Sequence, residues 1–161
     1  MMIALYVVLS MAAKIPVVAH ISLDLGYIVL AVTCYHTGCV PSMIVGSTGC
    51  VIVSMLTTGW FPLGWMLGNL EIGAICGKAY QRGYRPHGFT INCLITVTAV
   101  AIGILGVKTI IECALYEIPL AVKLPKNAAA CAIDAVTMCI GVALARSHAI
   151  VRLFGKHWLY A

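Results

Sequence analysis

Charge is what this sequence has least of. Its 161 residues include 10 Lys or Arg and 5 Asp or Glu, 9% of the chain, too little polar surface to clothe a soluble globule of this size. It also has no C-x-x-C pair: eight cysteines, from Cys34 to Cys139, stand singly in apolar sequence, which argues for small packing residues and against a disulfide framework. No G-x-x-x-x-G-K-[ST] loop is present, so the chain does not by itself bind and hydrolyse ATP in the P-loop manner. Nor do basic residues cluster with aromatics; the net charge of +5 is dispersed and fits an anionic membrane surface, not a nucleic acid. The apolar stretch from Ile3 to Ala13 lacks a basic flank before it and an A-x-A site after it, and is read as a retained segment, not a cleavable signal.

Hydrophobic sequence is abundant, at 62% of residues with a mean hydropathy of +1.03. With about 20 apolar residues needed per span, the chain is expected to form one all-α integral membrane domain over residues 1–161, a compact bundle of six transmembrane helices. The first runs from Ile3 and ends near Ile15, where Lys14 and Pro16 interrupt it; Pro16 to Ser22 is expected to be irregular. The second starts near Asp24 and reaches the turn His36-Thr37-Gly38, and the third carries Pro41 in its first turn and continues to Thr57. The fourth follows the turn at Thr58 to Pro62 and reaches Tyr80, the fifth runs from Thr90 to Ala114, and the sixth from Ala128 to Arg146. Between the last two, Pro119 and Pro125 argue against helix from Leu115 to Asn127. An even number of spans puts both termini on one side. Lys78, Arg82, Arg85, Arg146, Arg152 and Lys156, with no acid among them, mark that side as cytoplasmic, whereas the other mixes Lys14, Lys108, Lys123 and Lys126 with Asp24, Glu112, Glu117 and Asp134.

Those acids need a reason, because a charge at the bilayer centre costs about 2.5–3.5 kcal/mol on insertion scales unless it meets a partner, a cavity or water. Lys108 and Glu112 have the i,i+4 spacing of an ion pair on one helix face; either they neutralise each other or they are shared with a ligand. Asp134 lies about one and a half turns into the expected sixth helix, too deep for a cap, and is given a site role. Glu71, beside Asn69, is read as an interhelical hydrogen-bonding group, and Glu117 as solvated. Trp60, Phe61 and Trp65 gather where the fourth helix meets the interface, suited to anchoring and also to stacking against a flat heterocycle. His20 stands near Asp24, as a solvated loop residue or a hydrogen-bonding partner for a ligand. Cys34, His36 and Cys39 lack a fourth metal ligand and are assigned to turn and packing, so no metal is expected. Ser42, Gly46, Cys50 and Ser54 recur every four residues as a smooth stripe, which serves packing within the bundle or contact with another subunit.

Ile15-Pro16, Ile21-Ser22-Leu23-Asp24, the stretch from Gly46 to Gly49, and Gly59-Trp60-Phe61-Pro62-Leu63-Gly64 together resemble the substrate-binding S components of energy-coupling factor (ECF) vitamin transporters. The S-L-D and F-P-L-G pieces are similar to both the riboflavin-type and the alpha-ribazole-type branches. The resemblance implies a non-enzymatic membrane protein that captures a vitamin or related micronutrient from outside, without a cofactor of its own. Its implied partners are a transmembrane coupling subunit and two ATPase subunits in a prokaryotic cytoplasmic membrane. It further implies ligand contacts from Asp24, Trp60, Trp65, Asn69, Glu112, Tyr116, Asn127 and Asp134. Docking to the coupling subunit would fall on an A-x-x-x-A register that here reads Ala4, Val8, Ala12, with valine in place of a small residue, shared with the stripe Ser42, Gly46, Cys50. The competing expectation is a self-contained, proton-coupled secondary carrier in which Asp134, Glu112 and Lys108 form a relay.

Overall fold

The computed structural model describes residues 1–12, 15–18, 21–84 and 88–147, with side chains placed for all of these but 15–18, 21–23 and 84. Lys14, His20, Arg85, Arg152 and Lys156, which enter the charge and ligand expectations, lie outside the described residues. Six helices follow one another: α1 (Met2–Ala12), α2 (Gly26–Thr37), α3 (Cys39–Thr57), α4 (Leu63–Ala79), α5 (Phe89–Tyr116) and α6 (Leu120–Ala145). Of these, α3, α5 and α6 are long and apolar enough to cross a membrane. The segment expected to be irregular pairs instead as an antiparallel hairpin, β1 (Ile15–Val18) with β2 (Ile21–Leu23), its register slipping between Pro16 and Val18. β-Branched Ile15, Val17 and Val18 favour the extended state, and a two-stranded ribbon consists of edges alone, where proline is tolerated.

Short connections make neighbouring helices antiparallel. Gly38, at φ 89, turns α2 into α3. At this end of the bundle His36 Nε2 meets the Ala145 carbonyl at 3.0 Å, and the Tyr80 hydroxyl lies 3.0 Å from Thr96 Oγ1. The hairpin, the α3–α4 turn and the α5–α6 turn lie at the opposite end. Leu30, Ile72, Val100, Ile104, Met138 and Val142, all fully buried, form the core between.

Close approach of α3 and α4 depends on missing side chains. A Cβ at Gly73 would come within 2.8 Å of the Ser42 backbone, and one at Gly77 within 2.6 Å of Cys39 Cα. The first half of the smooth stripe is therefore used inside the bundle. Ser42 and Gly46 are buried, and a Cβ on Gly46 would already press the Asn69 carbonyl at 3.1 Å. Of the residues expected to dock a coupling subunit, Ser42 and Gly46 are thus buried against neighbouring helices, and Cys50 is half-buried beside a cavity. Ala4, Val8 and Ala12 on α1 are exposed.

Two departures from the expected helices shape the functional end. First, α6 starts at Leu120, eight residues before Ala128. Pro119 precedes it with extended ψ, and its carbonyl accepts the N–H groups of Val122 and Lys123. Pro125 removes the donor that would reach Ala121, but both residues are exposed, where the freed carbonyl is not buried without a partner. Second, α5 passes through a π-helical stretch, Ile102–Lys108. Its inward positions Asn92, Thr96, Ala99 and Gly103 extrapolate, at 3.6 residues per turn, to roughly 107 and 110. The wider turn shifts the phase by one to two residues, so Lys108 and Glu112 are buried while Ile110 is exposed.

Candidate functional site

A cavity of about 330 Å³ lies at the hairpin end and draws lining residues from all six helices. α1 contributes Tyr6; the start of α2 brings Asp24 and Tyr27; the end of α3 brings Cys50, Val53 and Ser54. Pro62, Trp65 and Asn69 come from the start of α4, Lys108 and Glu112 from α5. α6 presents Lys123, Asn127, Ala130 and Asp134, spaced i, i+4, i+7 and i+11 and so along one face. Lys126 flanks that face.

Lys108 is 3% exposed and fully engaged. Its ammonium donates to Asn127 Oδ1, lies 3.7 Å from Glu112 Oε1 and sits 3.8 Å above the Trp65 ring. Burying an ammonium requires that kind of compensation, an opposite charge plus hydrogen-bond acceptors, and the indole face adds cation–π attraction. Asn127 completes the network by donating from Nδ2 to Thr109 Oγ1 at 2.9 Å and to Glu112 Oε2 at 3.4 Å. Lys123 donates to the same Glu112 oxygen at 3.1 Å. Glu112 thus takes both ion pairs found among the described residues.

The other two acids of the lining stand outside these ion pairs. Asp134 is 4% exposed and shares the cavity lining with Tyr27, Asp24 and Lys108. Among the described residues no cation is within ion-pair distance of either Asp134 or Asp24. One Asp24 oxygen accepts the Gly26 N–H at 2.8 Å, securing the entry into α2. Tyr27 donates to Asn69 Oδ1 at 2.8 Å, fixing the amide in the floor between α2 and α4.

Of the residues expected to hold a ligand, Asp24, Trp65, Asn69, Glu112, Asn127 and Asp134 converge on this cavity. Trp60 and Tyr116 do not. Trp60 is 74% exposed at the α3–α4 turn, and Tyr116 projects at the end of α5, where Lys123 lies 6.0 Å from its ring. Asp134 sits roughly four turns into α6, not one and a half, because the helix starts earlier. Glu71 is half-buried and outside the cavity, and Glu117 is exposed at the left-handed end of α5.

Lys123 and Lys126 escaped the sequence-based site because the prolines placed them in a loop; the polar spacing 123, 127, 134 was the available signal of a helix face. Tyr6 and Tyr27 gave no signal beyond their being aromatic. Cys34 is buried and Cys39 Sγ contacts Met43 Sδ and the Ala74 carbonyl, each at 3.6 Å. Among the described residues no three His, Cys, Asp or Glu side chains are grouped to hold a metal ion. Neither a protein-family model nor a curated protein sequence matches the chain.

Proposed function

We propose that this chain is the membrane-embedded binding subunit of a micronutrient importer of the energy-coupling factor type, spanning the membrane six times with both termini in the cytoplasm. The observation that carries the reading is the cavity: a closed set of six helices surrounds a space of about 330 Å³ with an aromatic wall at Trp65 and buried polar groups at Asn69, Asn127 and Asp134. Small-molecule sites are built in this way, from apolar walls and a few convergent polar groups. The cavity end holds Lys108, Lys123 and Lys126 together with three acids, while Lys78, Arg82 and Arg146 lie at the other end; assigning that second basic end to the cytoplasm turns the opening outward. The exposed Ala4, Val8 and Ala12 face of α1 is left to meet a coupling subunit, and energy comes from separate ATPase subunits.

The secondary-carrier alternative assigns Asp134, Glu112 and Lys108 to a proton relay. One pair of measurements separates the two. Purified protein should bind a compound from a cellular small-molecule extract with no ion gradient present, and cellular uptake of that compound should vanish when the ATPase partners are deleted. Uptake by the isolated chain in proteoliposomes, driven by a proton gradient alone, would overturn the proposal.

A further inference from the structure

Three acids and three lysines line the cavity, but they are not evenly paired. Glu112 is shared by Lys108 and Lys123, leaving that side of the site with one cation in excess and Lys126 at the rim without an ion pair among the described residues. Farther along the same face of α6, Asp134 is buried with no cation at ion-pair distance among the described residues and lines the cavity together with Asp24. A carboxyl group buried without a cation beside it carries its charge at a cost that a cationic ligand group would offset, and a rim of lysines is suited to a carboxylate or phosphate.

Resting on the importer reading above, we infer that the cavity takes a small zwitterion, with a cationic group against Asp134 and Asp24 and an anionic group against Lys126 and Lys123. Eight residues of α6 separate Lys126 from Asp134, about 12 Å along the axis. That axial offset holds the cationic and anionic groups of the ligand apart, as on opposite ends of one substituted ring. The volume agrees, standing near the bottom of the range of about 300–1,000 Å³ for small-molecule sites. Trp65 and Tyr27 also line the cavity. A ligand with a single charge would satisfy one end and leave the other as it is.

The test is a binding titration of purified protein with four probes built on one benzene ring: para-aminomethylbenzoate, benzylamine, benzoate and benzyl alcohol. The zwitterion should bind about tenfold more tightly than either singly charged compound, a difference of about 1.4 kcal/mol. Asp134→Asn should erase its advantage over benzoate, and Lys126→Gln, at an exposed position, its advantage over benzylamine. Benzylamine binding as tightly as the zwitterion, or Lys126→Gln keeping the full preference, would overturn the inference. A cellular small-molecule extract, run in parallel, separates the two levels. If the extract raises the melting temperature but the zwitterion binds no better than benzyl alcohol, the charge assignment falls and the importer reading stands. If the extract also has no effect, both fall.

Discussion

Lys108 is the residue on which the cavity's chemistry turns. Its ammonium is surrounded by Trp65, Glu112 and Asn127, which come from three different helices. Removing one partner of a buried pair costs about 3–5 kcal/mol, since the other is left without compensation. Here Lys123 still holds Glu112 at 3.1 Å, so Lys108→Met is expected to cost somewhat less, about 2–3 kcal/mol. Thermal unfolding in detergent checks this: a variant that melts with the parent protein would show that the network contributes no net stability. At this scale the sequence was half legible. The i,i+4 spacing announced the contact between Lys108 and Glu112, because both lie on one helix and the spacing alone places them together. Asn127 and Lys123 were not legible as their partners, since that pairing depends on where a second helix begins.

Among the elements, α5 and α6 decide what the cavity contains. Hydrophobic content and turn residues located every helix to within a few residues, except the start of α6. There Pro125 was read as a breaker, yet a proline whose orphaned carbonyl belongs to exposed Ala121 can be accommodated. The π-helical stretch had no sequence signal, because a phase change of one to two residues leaves composition and apolar length untouched. Its effect can be isolated. Gly106→Ala, at a position where a Cβ would meet nothing within 4 Å, favours α-helix over the wider turn, and relaxation to α-helix at unchanged length should rotate Lys108 and Glu112 by roughly 100°. We predict unchanged helical circular dichroism with probe binding reduced more than about tenfold. Retained binding would mean that the inward placement of these two residues does not depend on the π geometry.

For the molecule as a whole, the two ends of the bundle differ in kind. One end is closed by polar contacts such as His36 with Ala145 and Tyr80 with Thr96; the other holds a cavity ringed by turns. The membrane character was legible from the scarcity of charge alone, and the antiparallel order from the short connections. The cavity's mixed charge was not, because it exists only once six separated segments meet. The orientation proposed above predicts opposite labelling of the two ends. In a cysteine-free background, Thr58→Cys should react with a membrane-impermeant maleimide added to intact cells, and Gln81→Cys only after permeabilisation. Equal reaction at both positions in intact cells would contradict it. The i,i+4 pairing of Lys108 with Glu112 also bears on how such a chain is made. Helices enter a membrane in order of synthesis, so α5 arrives before α6 can supply Asn127 or Lys123. Because the counter-charge is carried on the same helix, α5 can be handed into lipid as an electrically neutral segment, and its later partners inherit a pair that is already formed.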